Sequence, residues 1–283
     1  MKLYIKKEFD GCSVRDFLKS GKGFSSRLFL SVKQNGKFLI NGINAFSYTK
    51  CFAGDVLEIV FPESHTKVVP KYKPLDILYE DDFFIAVNKP FFMPCHPSIG
   101  HYDDTLANYI KGYLGDSIGA IHIPARIDMN TTGIVIIAKN EYVAGKLATS
   151  YKEGMVKKEY VCICHGETGE SGTINAPIGR KEGSIIEREI SSEGKDAITH
   201  YRRILSKNGY SVLNVFPETG RTHQIRVHFS HIGHPLLGDG LYGKEDGIKR
   251  HFLHLKRLEF NHPEYGFKVI IEAPIPDDMK EYI

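Results

Sequence analysis

The stretch RILSKNGYSVL, residues 203–213, turns one run of strand-forming residues directly back onto another. AITHYRRIL leads into it and YSVLNVFPE leads out, both rich in β-branched and aromatic side chains that suit a pleated, half-buried surface. Strands joined this tightly pair antiparallel, because a parallel pair needs a crossover of roughly a dozen residues or more. Further strand-like runs, DFFIAVNKP, GIVIIAKN and KEYVCICHG, follow no regular alternation with helices. Helical spacing of apolar residues appears in DDTLANYIKGYLG, in EYVAGKLATSYKEG and in the stretch starting at His223. This order predicts an α+β fold built on a mixed, largely antiparallel sheet, and argues against a doubly wound one.

The chain divides by pattern. In residues 1–62, SVRDFLKS and SSRLFLSVKQNG carry helical spacing, KFLINGINA reads as two short strands around Asn41-Gly42, and GDVLEIVF closes the unit as a strand. Residues 63–74 have no periodicity able to bury a face, and their prolines and lysines predict a linker. Residues 75–283 form the main domain. A chain of 283 residues with 42% apolar and 25% charged side chains can bury a large core and a small one. The net charge of +3 means that attraction to a polyanion has to come from local clustering of cations. No apolar run approaches the roughly 20 residues that span a bilayer, and the opening MKLYIKKEFDG lacks the apolar core of a secretion signal, so a cytoplasmic protein is expected. Five cysteines without a CxxC argue against a disulfide framework; Cys162 and Cys164 are expected as reduced packing residues on one strand face.

ARIDMNTTGIVIIAKN, residues 125–140, sets Arg126 and Asp128 at the mouth of an apolar strand. Charge placed there is either satisfied or used, because burial alone drives a carboxylate toward its neutral form unless a cation opposes it. His223, His228, His231 and His234 raise a rival reading as a zinc site, but no recognised ligand spacing fits them. The same segment predicts a helix capped by Thr222, with Arg226 turned toward the site and Ile225, Val227 and Phe229 divided between packing surfaces. GHPLLGDGLYG lacks the Lys-Ser or Lys-Thr of a nucleotide loop and reads as turns with apolar anchors.

Taken together, ARIDMNTTG, KKEYVCICHG and PETGRTHQIRVHFSHIGHPLLGDGLYG resemble, in order, the three motifs of the RluA family of pseudouridine synthases. LYEDDFFIAVNKP, NAPIGR and LHLKRLEFNHPEYG extend the resemblance over residues 75–283. The first 62 residues resemble an S4-type RNA-binding domain through VRDFL, the SSR turn, LING and GDVLEI, with Arg15, Lys19, Lys22, Arg27 and Lys33 as its cations. Two departures from the family pattern stand out: Ala125 replaces a histidine before the arginine, and Met129-Asn130 replace Arg-Asp after the aspartate. Both bear on contacts around the substrate.

The resemblance implies that uracil N1 is cut from the ribose, the base turns while bound, and C5 rejoins the sugar. No cofactor or metal is implied, since there is neither redox change nor net group transfer. Asp128 is implied as the catalytic carboxylate, either attacking C1′ or removing the C2′ proton, and the sequence leaves both routes open. Arg226 is implied as its salt-bridge partner. Tyr160 would offer the uracil an aromatic face, and Arg126 would fill the stack vacated by a flipped nucleotide or else pair with Asp128. The implied partner is RNA: large-subunit ribosomal RNA first, transfer RNA second. A noncatalytic RNA-binding or ribosome-assembly protein that retains the fold is the alternative.

Overall fold

The computed structural model describes residues 1–62, 68–115 and 120–283. Its first unit comprises strands β1 (Lys2–Tyr4) and β2 (Cys12–Ser13), helix α1 (Val14–Asp16) running into a π-turn, and helix α2 (Ser26–Asn35). Strands β3 (Lys37–Ile40), β4 (Ile43–Ala45), β5 (Lys50–Cys51) and β6 (Val56–Val60) complete it. Ser13 and Ser25 cap the two helices by accepting from Asp16 and Leu28 backbone N–H groups. Four of the strands form an antiparallel sheet in the order β1-β6-β3-β4. Asn41 and Gly42, both at positive φ, make the two-residue turn between β3 and β4.

The larger unit contains β7 (Ile77–Glu80), β8 (Phe84–Lys89), α3 (Leu106–Leu114), β9 (Thr132–Ala138), α4 (Glu141–Lys152) and β10 (Lys157–His165). It continues through β11 (Ser171–Asn175), β12 (Ile178–Arg180), β13 (Arg188–Ile190), β14 (Ile198–Lys207), β15 (Tyr210–Pro217) and α5 (Gln224–His231). β16 (Leu253–Asn261), β17 (Lys268–Glu272) and α6 (Asp277–Lys280) finish the chain. A nine-stranded sheet runs β11-β14-β15-β10-β16-β9-β8-β7, with β17 also paired to β16. Every pair in it is antiparallel except β16 with β9, which meet only at His254–Thr132 and Leu255–Gly133. The fold is therefore α+β and largely antiparallel, and its single parallel contact is the seam beside which the Asp128 loop ends.

Every residue of β9 is buried because both of its faces are covered. Val135 and Ile137 pack with Ile85, Val87 and α3 through Leu106 and Ile110, whereas Ile134, Ile136 and Ala138 pack with α4 through Tyr142, Val143 and Leu147. A strand buried on both sides reads as an unbroken apolar run. Gly133 (φ 110) sits where a Cβ would overlap the Leu255 backbone, so the close parallel approach at the seam requires glycine.

The second of those cores extends into the first unit: Val14, Phe17, Leu28, Val32, Leu57 and Ile59 belong to the same buried cluster as Phe84, Tyr142 and Phe260. Phe24 stacks on Tyr142 with ring centroids 4.6 Å apart, and Lys22 pairs with Glu264. Of the expected linker, residues 63–67 lie outside the described residues. The remainder does not behave as a free connector. Lys71 N–H donates to the Asn108 carbonyl, the Asn108 amide donates to the Val69 carbonyl, and Val68 and Leu75 pack on the α3 core. A Cβ at Gly112 would overlap the Lys71 carbonyl, so the strap is held close against α3.

Candidate active site

Asp128 lies in the loop that enters β9, and buried groups pin that loop on both sides. Lys89, the last residue of β8, is fully buried and donates to the carbonyls of Pro90, Met93 and Met129, each at 2.9 Å. All three ammonium hydrogens are thereby used, although burial lowers its pKa to about 8. Past the aspartate, Thr131 Oγ1 is 2.8 Å from His251 Nε2 and Thr132 Oγ1 is 2.9 Å from His254 Nδ1. Burial, and then the Arg226 charge, push His251 down to about 3.

Against this loop α5 delivers Arg226. Its Nη1 donates to Asp128 Oδ2 at 3.2 Å, while Nε and Nη2 make a two-pronged contact with Asp239 at 2.8 Å each. Tyr242 lies under the guanidinium, 5.0 Å from ring centroid to Cζ. Burial works against the Asp239 charge, but the Arg226 bonds outweigh it and hold that carboxyl below its usual range. The side chains of Asp239 and Arg226 are 0% and 8% exposed, against 26% for Asp128. The buried pair is a mount and the aspartate is the accessible end. Among the described residues Oδ1 of Asp128 has no hydrogen-bond partner, so one carboxylate oxygen is fixed and the other is free.

Tyr160 sits on β10 between Val215 and Leu255, half-buried, at a register shift in the β10–β16 pairing. Its hydroxyl has no partner among the described residues, and burial, reinforced by the Asp128 charge, raises its pKa. Arg126 is exposed and forms no ion pair with Asp128; its charge falls instead near His96, whose pKa is lowered by burial first and by Arg126 second. Asp128, Tyr160 and Arg226 thus converge, with Arg126 at the rim.

The first unit's cations separate. Arg15, Arg27 and Lys33 are exposed and Lys19 is half-buried, but Lys22 is committed to Glu264 and drops out of the set expected to meet RNA. Arg27 lines a cleft of about 770 Å³ between α2 and α4, shared with Ser31, Tyr142 and Lys146. Three of the four histidines of the 223–234 segment are engaged by the protein itself: His223 meets the Tyr242 hydroxyl, His228 bonds Thr199 Oγ1 and the Ala176 carbonyl, and His234 bonds the His165 carbonyl, while His231 is exposed. Among the described residues no group of three or more His, Cys, Asp or Glu side chains is placed to hold a metal. Cys162 and Cys164 are buried on one face of β10.

Helix α5 starts differently from expectation. Its N-cap is His223, in the left-handed region (φ 58) and without a side-chain cap bond, and Thr222 plays no capping part. The Gln224 side chain does the local work, accepting from the Arg221 N–H and from Thr219 Oγ1. Sequence reasoning also missed Asp239, read as part of a turn, and Lys89. For Lys89 the available signal was a lysine closing an apolar strand, which can be buried only against partners; Asp239, between two glycines, offered none.

Residues 83–231, just over half of the chain, match the RNA pseudouridylate synthase family. The chain is 38% identical to the uncharacterized RNA pseudouridine synthase YjbO of Bacillus subtilis, over 92% of this chain and 95% of that one. It is 34% identical to the ribosomal large subunit pseudouridine synthase D of Xylella fastidiosa, over 90% and 82%. Among solved structures, human RNA pseudouridylate synthase domain containing 1 superposes with a TM-score of 0.59 at 28% identity, covering 71% of this chain and 83% of that one. An arginine-mounted aspartate at the seam of an antiparallel sheet and relatives that span nearly its whole length agree: the chain belongs to the RNA pseudouridylate synthase family, RluA type, and is an RNA-modifying isomerase.

Proposed function

We propose that Asp128 is the catalytic carboxylate, and that the enzyme isomerises chosen uridines in large-subunit ribosomal RNA. The observation that carries the first part is the split environment of its two oxygens: Oδ2 is held by Arg226, itself clamped by buried Asp239, while Oδ1 is free to meet the sugar. In the reaction the N1–C1′ bond breaks, the uracil turns, a C1′–C5 bond forms, and the C5 proton is lost as N1 regains one. Atoms and charge balance without a redox partner. Tyr160 stacks the uracil, and exposed Arg126 fills the gap left in the RNA stack. The name of the Xylella fastidiosa relative supports the ribosomal target. Transfer RNA is second. The first unit serves as an S4-like docking module through Arg15, Lys19, Arg27 and Lys33.

Asp128→Asn tests the assignment. It should abolish isomerisation while RNA affinity stays within about threefold, because the carboxylate serves the reaction more than docking. Turnover by this variant would overturn the role. Pseudouridine-selective chemical mapping of cellular RNA, with and without the protein, names the target; a transfer-RNA site as the sole lost position would replace the ribosomal reading.

A further inference from the structure

His223 has no part in the chemistry described so far, yet its surroundings are built. It occupies a left-handed backbone conformation (φ 58, ψ 16) that a residue with a side chain rarely adopts, and it returns no capping bond to α5. Its ring meets Tyr242 edge to face, and Nδ1 lies 2.8 Å from the Tyr242 hydroxyl. That hydroxyl already accepts the Arg188 N–H at 2.8 Å and has no other acceptor for its own hydrogen among the described residues. The phenol therefore donates to Nδ1, which leaves the neutral ring protonated at Nε2. Burial, with Arg226 adding, works against the charged imidazolium more strongly than Asp128 favours it.

Nε2 points at the catalytic carboxylate and stops 3.9 Å from Asp128 Oδ2, beyond hydrogen-bond reach. A donor and an acceptor separated by that distance can both be bridged by one hydroxyl, accepting from Nε2–H and donating to Oδ2. On a ribose whose C1′ faces the free Oδ1, the neighbouring 2′-hydroxyl is the group with both capacities. We propose that His223 is a further catalytic residue, which with Asp128 Oδ2 grips the 2′-hydroxyl of the target uridine and makes the site selective for ribose. Tyr242 is then a positioning residue that fixes the tautomer. This rests on Asp128 being the catalytic carboxylate.

The experiment compares a short RNA stem-loop carrying the target uridine with the same RNA carrying 2′-deoxyuridine at that one position. Single-turnover rates are read for the full-length protein, His223→Asn and His223→Gln; Kd is read instead for a substrate that does not turn over. Asparagine tolerates the left-handed backbone but is too short to reach, whereas glutamine restores a longer amide donor. His223→Asn should slow the ribose substrate about tenfold or more. On the deoxy substrate it should match the unaltered protein, so that discrimination between the sugars collapses, and glutamine should recover part of it. An equal loss on both substrates would assign His223 a structural role, and no loss on either would assign it none; each overturns the proposal. Activity retained by Asp128→Asn would instead remove the reading beneath it, and the two failures are told apart by which variant shows them.

Discussion

At the scale of single residues, the site depends on one buried ion pair that supports a half-buried acid. Taking one partner from such a pair strands the other charge, at a typical cost of about 3–5 kcal/mol. Asp239→Leu should therefore lower stability by about that amount and also cut the single-turnover rate, because Arg226 loses the fork that aims Nη1 at Asp128. Urea unfolding and single-turnover assays check the two effects. A variant as stable as the parent would show that Arg226 finds another anchor. Arg226 and Asp128 were legible because both lie in long motifs whose resemblance paired them across 98 positions. Asp239 was not. Between glycines it reads as turn chemistry, and nothing local announces that its carboxylate points inward.

At the scale of elements, the loop before β9 is held by neutral imidazoles. His251 and His254, at about 3 and about 4, titrate well below the ordinary 6.5. As pH falls through 6.5 the unfolded chain takes up protons that the folded one refuses, so stability is full above that value and is lost toward pH 4. The slope approaches about 1.4 kcal/mol per pH unit for each ring. Urea midpoints measured at pH 7.5 and pH 5.0 should show the loss, and His251→Gln should flatten it. An unchanged slope would mean that other groups control acid sensitivity. β9 was legible as a strand because burial on both faces leaves an unbroken apolar run. The start of α5 was not, because a left-handed histidine without a cap bond follows from its contact with Tyr242, a long-range event that local spacing does not encode.

At the scale of the whole molecule, the antiparallel character of the sheet was readable from hairpins such as the one joining β14 and β15, whereas the strand order, set by long-range pairings such as β16 with β9, was not. The strap at residues 68–75 was not, since its attachment to α3 uses backbone groups and a glycine contact that leave no pattern in its own sequence. Docking on RNA is best tested by point variants, because removing the first unit would bare apolar surface around Tyr142. Arg15→Glu together with Arg27→Glu should weaken binding to structured RNA and make it less steeply dependent on salt, as fewer counterions are released. Chemistry on a short stem-loop should persist at saturating RNA. Unaltered affinity and salt slope would remove these two arginines from the interface. The interior common to both units has a thermal consequence. Phe24 cannot leave Tyr142 without disturbing the helix that backs β9, so the two units should melt in one calorimetric transition; two resolved peaks would mean that the shared interior does not couple them.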